Sequence, residues 1–373
     1  MKKVIGLVNF HSSPEVTPIT DSRPLGSTSF LGRYAMCDFP LSNFCNSGIS
    51  IVGLLVKNHQ RSILKHLGSM DSWMRNTKTS REIIMYNEPA HQFPELNTDL
   101  QNLRENDWAL YDSDAEYIVI APAHIIARVD FRPILDEHIA RKEKITVVAT
   151  KIEDASKSFH SENIIEMTPE AYAKSAYKNP LNIHGPATVS MSTYIINRTV
   201  FADMINRSLK PNPTLDLKTL IYQAAQEGTY PVHVHMFEGF VRCIDSFRGY
   251  METCFELLQP KLQKELFSPD WPIYTKSHDT PPALYGENSV ISNSMIANGT
   301  VIEGTVIDSI IGRDVRVAKG AVVRNSILFS NSKVAENATV ENALIDKYAC
   351  ITRAKKVGGT ADVPLYLHQG AIL

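Results

Sequence analysis

A six-residue period near the C-terminal end constrains this chain more than any other feature. Apolar residues recur at Val290, Ile296 and Ile302, then at Ile311, Val317 and Val323. They continue at Leu328, Val334 and Val340, and at Ile345, Ile351 and Val357. The last three triplets superpose at a spacing of seventeen, 311 on 328 on 345. A helix would show a period of 3.6 and an ordinary strand a period of 2. Six-residue steps with small or polar residues between them mark a parallel β-helix. Each hexapeptide is one flat face and three faces make a triangular coil. A seventeen-residue period is three sixes with one residue trimmed at a corner. The inward Ile, Val and Leu then stack coil upon coil, and the expected solenoid spans residues 288–373.

The preceding part reads differently. Val4, Ile5, Leu7 and Val8 form a short apolar run, as expected for a strand of a parallel sheet buried on both faces. Further strands are expected at 51–56, 115–121, 145–150 and 188–197. Helices are expected at 61–67, 97–110 (with Leu100, Leu103 and Trp108 apolar), 131–142 and 199–208. This alternation argues for an α/β fold with a doubly wound sheet over residues 1–245. One long helix over 246–267 and a proline-rich stretch, Pro269, Pro272, Pro281 and Pro282, read as a linker over 246–287.

Composition narrows the function classes. A net charge of -2 argues against a general grip on nucleic acid or an anionic membrane surface. No apolar run approaches the length of a transmembrane helix, and the run at 4–8 is too short for a signal peptide. The five cysteines lack a CxxC pair, which fits reduced thiols in the cytoplasm.

The first strand-to-helix turn is where open α/β sheets bind their ligands. Here it runs Asn9, Phe10, His11, Ser12, Ser13, Pro14, Glu15, and no glycine occurs between Gly6 and Gly26. A phosphate cradle needs glycines there, so that backbone N–H groups can approach the phosphates. Beyond it lie Asp38-Phe39-Pro40-Leu41-Ser42-Asn43, then Asn46-Ser47-Gly48-Ile49, His66-Leu67-Gly68-Ser69 and Trp73. In these motifs the chain resembles the ADP-glucose pyrophosphorylases, the glucose-1-phosphate adenylyltransferases of glycogen and starch synthesis. The resemblance covers nearly the whole chain but not the residues of the family's chemistry. It is therefore closer to the degenerate regulatory branch, the D subunit of bacterial glycogen biosynthesis. The resemblance implies a nucleotidyltransferase-like domain with a mixed sheet, followed by a left-handed β-helix that helps assemble tetramers. It implies a catalytic adenylyltransferase subunit as partner in a hetero-tetramer.

Adenylyl transfer needs a phosphate cradle, Mg²⁺ held by carboxylates, and cations that neutralise growing charge. The resemblance places the family's first-turn arginine on Glu15 and a following lysine on Leu25, with Arg23 near enough to compensate. The first metal carboxylate falls on Ala123, beside His124, and the second on Cys243. The sugar-phosphate motif Glu-Lys-Pro is missing near Phe159, His160, Ser161, Glu162 and Asn163. No catalytic residue is therefore expected. Asn9, His11, His124 and Asp245 would line a vestigial pocket, and Asp245 would serve as metal ligand only after a shift of two residues. Mg²⁺ is expected only if that alternative holds.

Arg33 sits where the resemblance implies a lysine that helps bind anionic effectors such as sugar phosphates. Lys57, His59, Arg61 and Lys65 follow the second strand, and Arg353, Lys355 and Lys356 lie near the end of the solenoid. They read either as a solvated basic face or as an effector pocket between domains or subunits. The leading expectation is a non-catalytic regulatory or scaffold subunit, and the alternative is an active adenylyltransferase with an altered metal site. A hexapeptide acyltransferase would need a histidine between coils as base. None occurs between His278 and His368.

Overall fold

The computed structural model describes residues 3–74, 80–87, 97–111, 113–180, 182–208 and 214–373. Among them a nine-stranded mixed sheet forms the first part. Its path runs Ala173–Lys178, Asn163–Met167, Ala187–Asn197, Tyr117–Pro122, Val4–Asn9, Ile51–Val56, Arg81–Tyr86. Ile145–Ile152 and Val232–Met236 pair off this path, Ile145–Ile152 antiparallel to Ala187–Asn197. Alternation along Val4–Asn9 sends Val4 and Val8 into one core and Ile5 and Leu7 into the other. Helices cover both faces, so the central strands are apolar throughout.

Two of the expected helices are each broken in two, whereas those expected at 61–67 and 199–208 form as Gln60–Leu67 and Arg198–Ser208. The expected helix over 97–110 is two, Asp99–Glu105 and Trp108–Tyr111. Between them Asn106 turns its amide onto Tyr86 O and Asn102 O. Trp108 is 47% exposed rather than part of an apolar face. The expected helix over 246–267 is also two, Phe247–Glu256 and Pro260–Leu266. Pro260 has no N–H to continue the first helix, and it opens the second.

The C-terminal part is a three-faced parallel β-helix whose faces each carry five short parallel strands. The first of these, Leu284–Tyr285, precedes the expected start at 288. Ile311, Val317, Val323, Leu328, Val334, Val340, Ile345 and Ile351 are buried as the period required. Val290 is not: it is 53% exposed, and Ile291 instead pairs with Val306 in the ladder. One coil here has fifteen residues, Ile302 stacking on Val317, and this breaks the seventeen-residue register. Asn293, Asp308, Asn325 and Asn342 stack at one corner with positive φ, a conformation that Asn and Asp tolerate best among residues with a side chain. No helix among the described residues is long and apolar enough to cross a membrane.

The two parts share a core. Ile310, Ile327 and Leu344, one on each of three successive coils, face away from the solenoid axis and pack against Phe30, Phe39, Tyr250 and Leu257. Gly32 crosses the solenoid so closely that a Cβ would lie 2.7 Å from Ile311 O, and its φ is +71°. At the centre of this seam Arg23 forms a two-pronged ion pair with Asp346, Nη1 to Oδ1 at 2.9 Å and Nη2 to Oδ2 at 2.5 Å. The side chains are 3% and 0% exposed. Tyr366 donates to the same carboxylate at 2.6 Å, and Arg23 lies over the Phe329 ring. Replacing Asp346 with Ala strands a buried guanidinium and is expected to cost about 3–5 kcal/mol in chemical denaturation. A loss below about 1 kcal/mol would show that the seam does not depend on the pair.

Candidate functional site

The C-terminal ends of Val4–Asn9 and Tyr117–Pro122 lie side by side, with Asn9 opposite Pro122. The turn after Asn9 is shaped by that residue's own side chain. Asn9 Oδ1 accepts the N–H of His11 at 2.9 Å and of Ser12 at 3.3 Å. Those amides, which a glycine cradle would aim at phosphate, are already satisfied. Asn9 Nδ2 donates to Asp99 Oδ2 at 2.8 Å, while Asp99 Oδ1 takes the N–H of Leu100 and Leu217. Burial, reinforced by the nearby Lys57 charge, lowers the His11 pKa to about 4. The ring is therefore neutral near pH 7 and brings no positive charge to the turn. Glu15 is exposed and Leu25 is buried. Arg23 is committed to Asp346 and does not replace the missing cation.

The next strand end carries Ala123, fully buried. Gly26 passes so near that a Cβ on it would sit 2.7 Å from the Ala123 methyl. His124 points into a closed polar cluster that the sequence reading did not assemble. Its Nε2 donates to Glu162 Oε1 at 2.8 Å. Glu162 Oε2 accepts from Lys218 Nζ at 3.2 Å and from the Ser192 hydroxyl. Burial alone would push the Glu162 carboxyl up. The Lys218 charge and the hydrogen bonds from His124 and Ser192 outweigh it and hold the pKa at about 2. In sequence Glu162 belongs to a segment that lacks the sugar-phosphate motif, and no motif marks Lys218. A lysine in the first turn of the helix Leu217–Gln226 gives no local signal of its partner 56 residues away.

Cys243 lies beside this cluster, its Sγ 3.5 Å from the Ser161 hydroxyl. Burial first, then the negative charges of Glu162 and Asp245, push its thiol well up, so it is neutral. Asp245 Oδ2 accepts the N–H of His160 at 2.6 Å and of Ser161 at 3.4 Å, which fixes the loop carrying Glu162. The structure thus joins His124 and Asp245 through residues 160–162, and places Asn9 and His11 at the adjoining strand end.

These residues do not fit Mg²⁺. Ala123 offers a methyl and Cys243 a neutral thiol, whereas Mg²⁺ demands oxygen ligands. Donor atoms of His124, Glu162 and Cys243 do lie within 4.8 Å of one another. The Lys218 ammonium beside Glu162 supplies the positive charge that a cation would bring, and the carboxylate's lone pairs are already engaged.

The expected effector cations are not gathered. Arg33 lines a cavity of about 780 Å³ beside the solenoid. Lys57 and His59 line another of about 250 Å³ that also holds Glu15, Asp21 and Arg23. Arg61 lines neither, being exposed at the start of the helix Gln60–Leu67. Arg353, on the last coil, is exposed and pairs with Glu336 at 3.1 Å. Lys65, Lys355 and Lys356 are exposed. Electrostatic repulsion favours such dispersal unless a ligand or carboxylate draws the charges together.

Comparison with known proteins adds a second line. Residues 15–240 match the model of a family described as nucleotidyl transferase. Residues 282–363 match a GlmU-like C-terminal hexapeptide model. The glycogen biosynthesis protein GlgD of Bacillus subtilis is 28% identical over 95% of this chain and 92% of its own length. A glucose-1-phosphate adenylyltransferase of Fervidobacterium nodosum is 27% identical over 96% of this chain and 86% of its own. The Thermotoga maritima protein of that name is 26% identical over 79% of this chain and 70% of its own.

A depressed carboxylate pKa stabilises the fold above its unfolded value, and that contribution is lost as pH falls through the folded value. For Glu162 the window runs from about 4.5 down to about 2. The stability gap between the native chain and Glu162→Gln should be on the order of 3 kcal/mol near pH 6 and should close across that window. Denaturation curves at stepped pH measure it, and a gap that does not change with pH would contradict an ionised Glu162.

Proposed function

The chain belongs to the nucleotidyl transferase family, and from that premise we propose that it is a non-catalytic regulatory or scaffold subunit of a glucose-1-phosphate adenylyltransferase complex. The complex would make ADP-glucose for glycogen synthesis in the cytoplasm. The observation that carries this reading is the pair of substitutions at the family's metal positions. Ala123 and Cys243 stand there, and the nearest carboxylate, Glu162, is held by His124, Lys218 and Ser192. Adenylyl transfer relies on positioning and charge neutralisation, and each lost metal carboxylate costs several kcal/mol of transition-state stabilisation. The sheet and the solenoid are both retained, and on this reading they serve assembly. The named relatives support the pathway: one is a glycogen biosynthesis protein and others are adenylyltransferases. The partner on this reading is a catalytic subunit, joined in a hetero-tetramer.

The similarity to the Fervidobacterium nodosum enzyme, within one percentage point of that to GlgD, keeps a second reading in play. On that reading the chain turns over ADP-glucose through Asp245. One assay separates the two: ADP-glucose formation by the purified chain, alone and mixed with the catalytic subunit from the same cell. The expected outcome is no turnover alone and an altered rate or effector response in the mixture. Turnover alone that disappears in Asp245→Ala would replace the proposal with the enzyme reading.

A further inference from the structure

Three side chains of metal-ligating type meet apart from the His124–Glu162–Cys243 group: Cys37, Asp38 and His66. Cys37 directly precedes the helix Asp38–Asn46, and His66 lies in the last turn of the helix Gln60–Leu67. The thiol sulfur, a carboxylate oxygen and a ring nitrogen all lie within 4.8 Å of one another. His66 Nε2 is 2.6 Å from Asp38 Oδ1, and Cys37 Sγ is 4.0 Å from the same oxygen. Cys37 and Asp38 are 1% and 0% exposed, and the His66 side chain is 16% exposed. The other carboxylate oxygen, Oδ2, accepts the Ala35 N–H at 2.9 Å. That bond leaves Oδ1 facing the thiol and the imidazole, and a fixed carboxylate of this kind is what a metal ligand requires.

The spacing is close to that of a tetrahedral ion. Zinc bonds of about 2.0–2.3 Å set ligand atoms about 3.3–3.7 Å apart. The three atoms reach that spacing when each side chain moves by less than about 1 Å.

Charge also suits an ion here, which it does not at Glu162. There Lys218 already supplies the positive charge. Among the described residues no lysine or arginine forms an ion pair with Asp38, whose partner is His66. Thiolate and carboxylate together cancel the two charges of zinc. The occupied site is then neutral beside Arg313, which feels both Asp38 and Arg33. Burial, then the Asp38 charge, pushes the Cys37 thiol well up, so it is no nucleophile as it stands. A mixed sulfur, nitrogen and oxygen set favours zinc, whereas Mg²⁺ demands oxygen ligands.

We propose that Cys37, Asp38 and His66 form a zinc site, with water in the fourth position on the exposed side of His66. The ion ties the helix Asp38–Asn46 to the helix Gln60–Leu67, where a single side-chain hydrogen bond otherwise joins His66 to Asp38. The site does not depend on whether the chain makes ADP-glucose.

The test is titration of the full chain, stripped of metal by a chelator and kept reduced, with Co²⁺ as a spectroscopic stand-in for zinc. Equimolar Co²⁺ is expected to give tetrahedral d–d bands and a thiolate-to-cobalt charge-transfer band. Zn²⁺ should displace both and Mg²⁺ neither. Cys37→Ser should abolish the charge-transfer band. That change is buried and can lower stability, so His66→Gln, at the half-buried edge, provides the second reading. It should weaken cobalt and zinc binding about tenfold or more, with the circular dichroism of the native chain retained. Cys243→Ser and Cys350→Ser should leave the band intact. Four outcomes would overturn the proposal: no charge-transfer band in excess Co²⁺, a band that survives Cys37→Ser, binding undiminished in His66→Gln, or a band lost in folded Cys243→Ser, which puts the metal beside Glu162 instead.

Discussion

The Arg23–Asp346 pair is the constraint on which the arrangement of the molecule depends. Two full charges are buried at the seam between sheet and solenoid, and burial of this kind is tolerated only when both partners are satisfied. Here both are: Asp346 also accepts from Tyr366, and Arg23 also reaches Ser22 and Gln369. An apolar seam surrounds the pair, with Tyr250 and Phe329 in an edge-to-face contact and Ile310, Ile327 and Leu344 packed beneath. Apolar burial supplies attraction without direction, while the two-pronged ion pair admits one alignment. That alignment sets Arg33 opposite Arg313 and so shapes the cavity they line.

The motifs that carry the family resemblance turn out to hold the scaffold. Asp38 caps the turn at Ala35 and meets His66. Asn43 donates to Ala127 O and accepts from the Trp271 indole, and Asn46 donates to Pro272 O. Ser42 accepts the N–H of Tyr274, whose carbonyl takes the Trp73 indole N–H. These residues fasten the stretch 271–274 to the helix Asp38–Asn46 and to Trp73. In this chain they satisfy backbone groups of the linker and the strand Ile125–Ala127, not groups at the strand ends of the candidate site.

The solenoid was the most legible part of the sequence because its period reports directly on burial. Nine of its buried stacking positions, Ile302 among them, follow from spacing alone; that Ile310, Ile327 and Leu344 beside them form the docked face is shown only by the structure. Val290 misled because a fifteen-residue coil is indistinguishable from a shifted register until pairing is known. The helix breaks at Asn106 and Pro260 were hidden by an apolar pattern that continued across them. At the candidate site, the residues flanking strand ends were legible, since a strand end has a fixed place in such a sheet. The Glu162–Lys218 contact was not, because nothing local links a loop carboxylate to a helix amine. The cavity lined by Arg33 and Arg313 was hidden for the same reason: Arg313 reads as a solenoid surface residue until the loop at Arg33 is folded over it.

The Arg23–Asp346 contact has a temporal side. Its partners are 323 residues apart, so on a ribosome adding about 5–20 residues per second Arg23 emerges tens of seconds before Asp346 exists. During that interval the sheet can form from its own strands, but the guanidinium and the aromatic seam around it face water. Completion of the last coils then buries the charge and the rings in one event. The nascent chain therefore carries an exposed aromatic seam until synthesis is almost finished, and that surface is where a folding chaperone has something to hold.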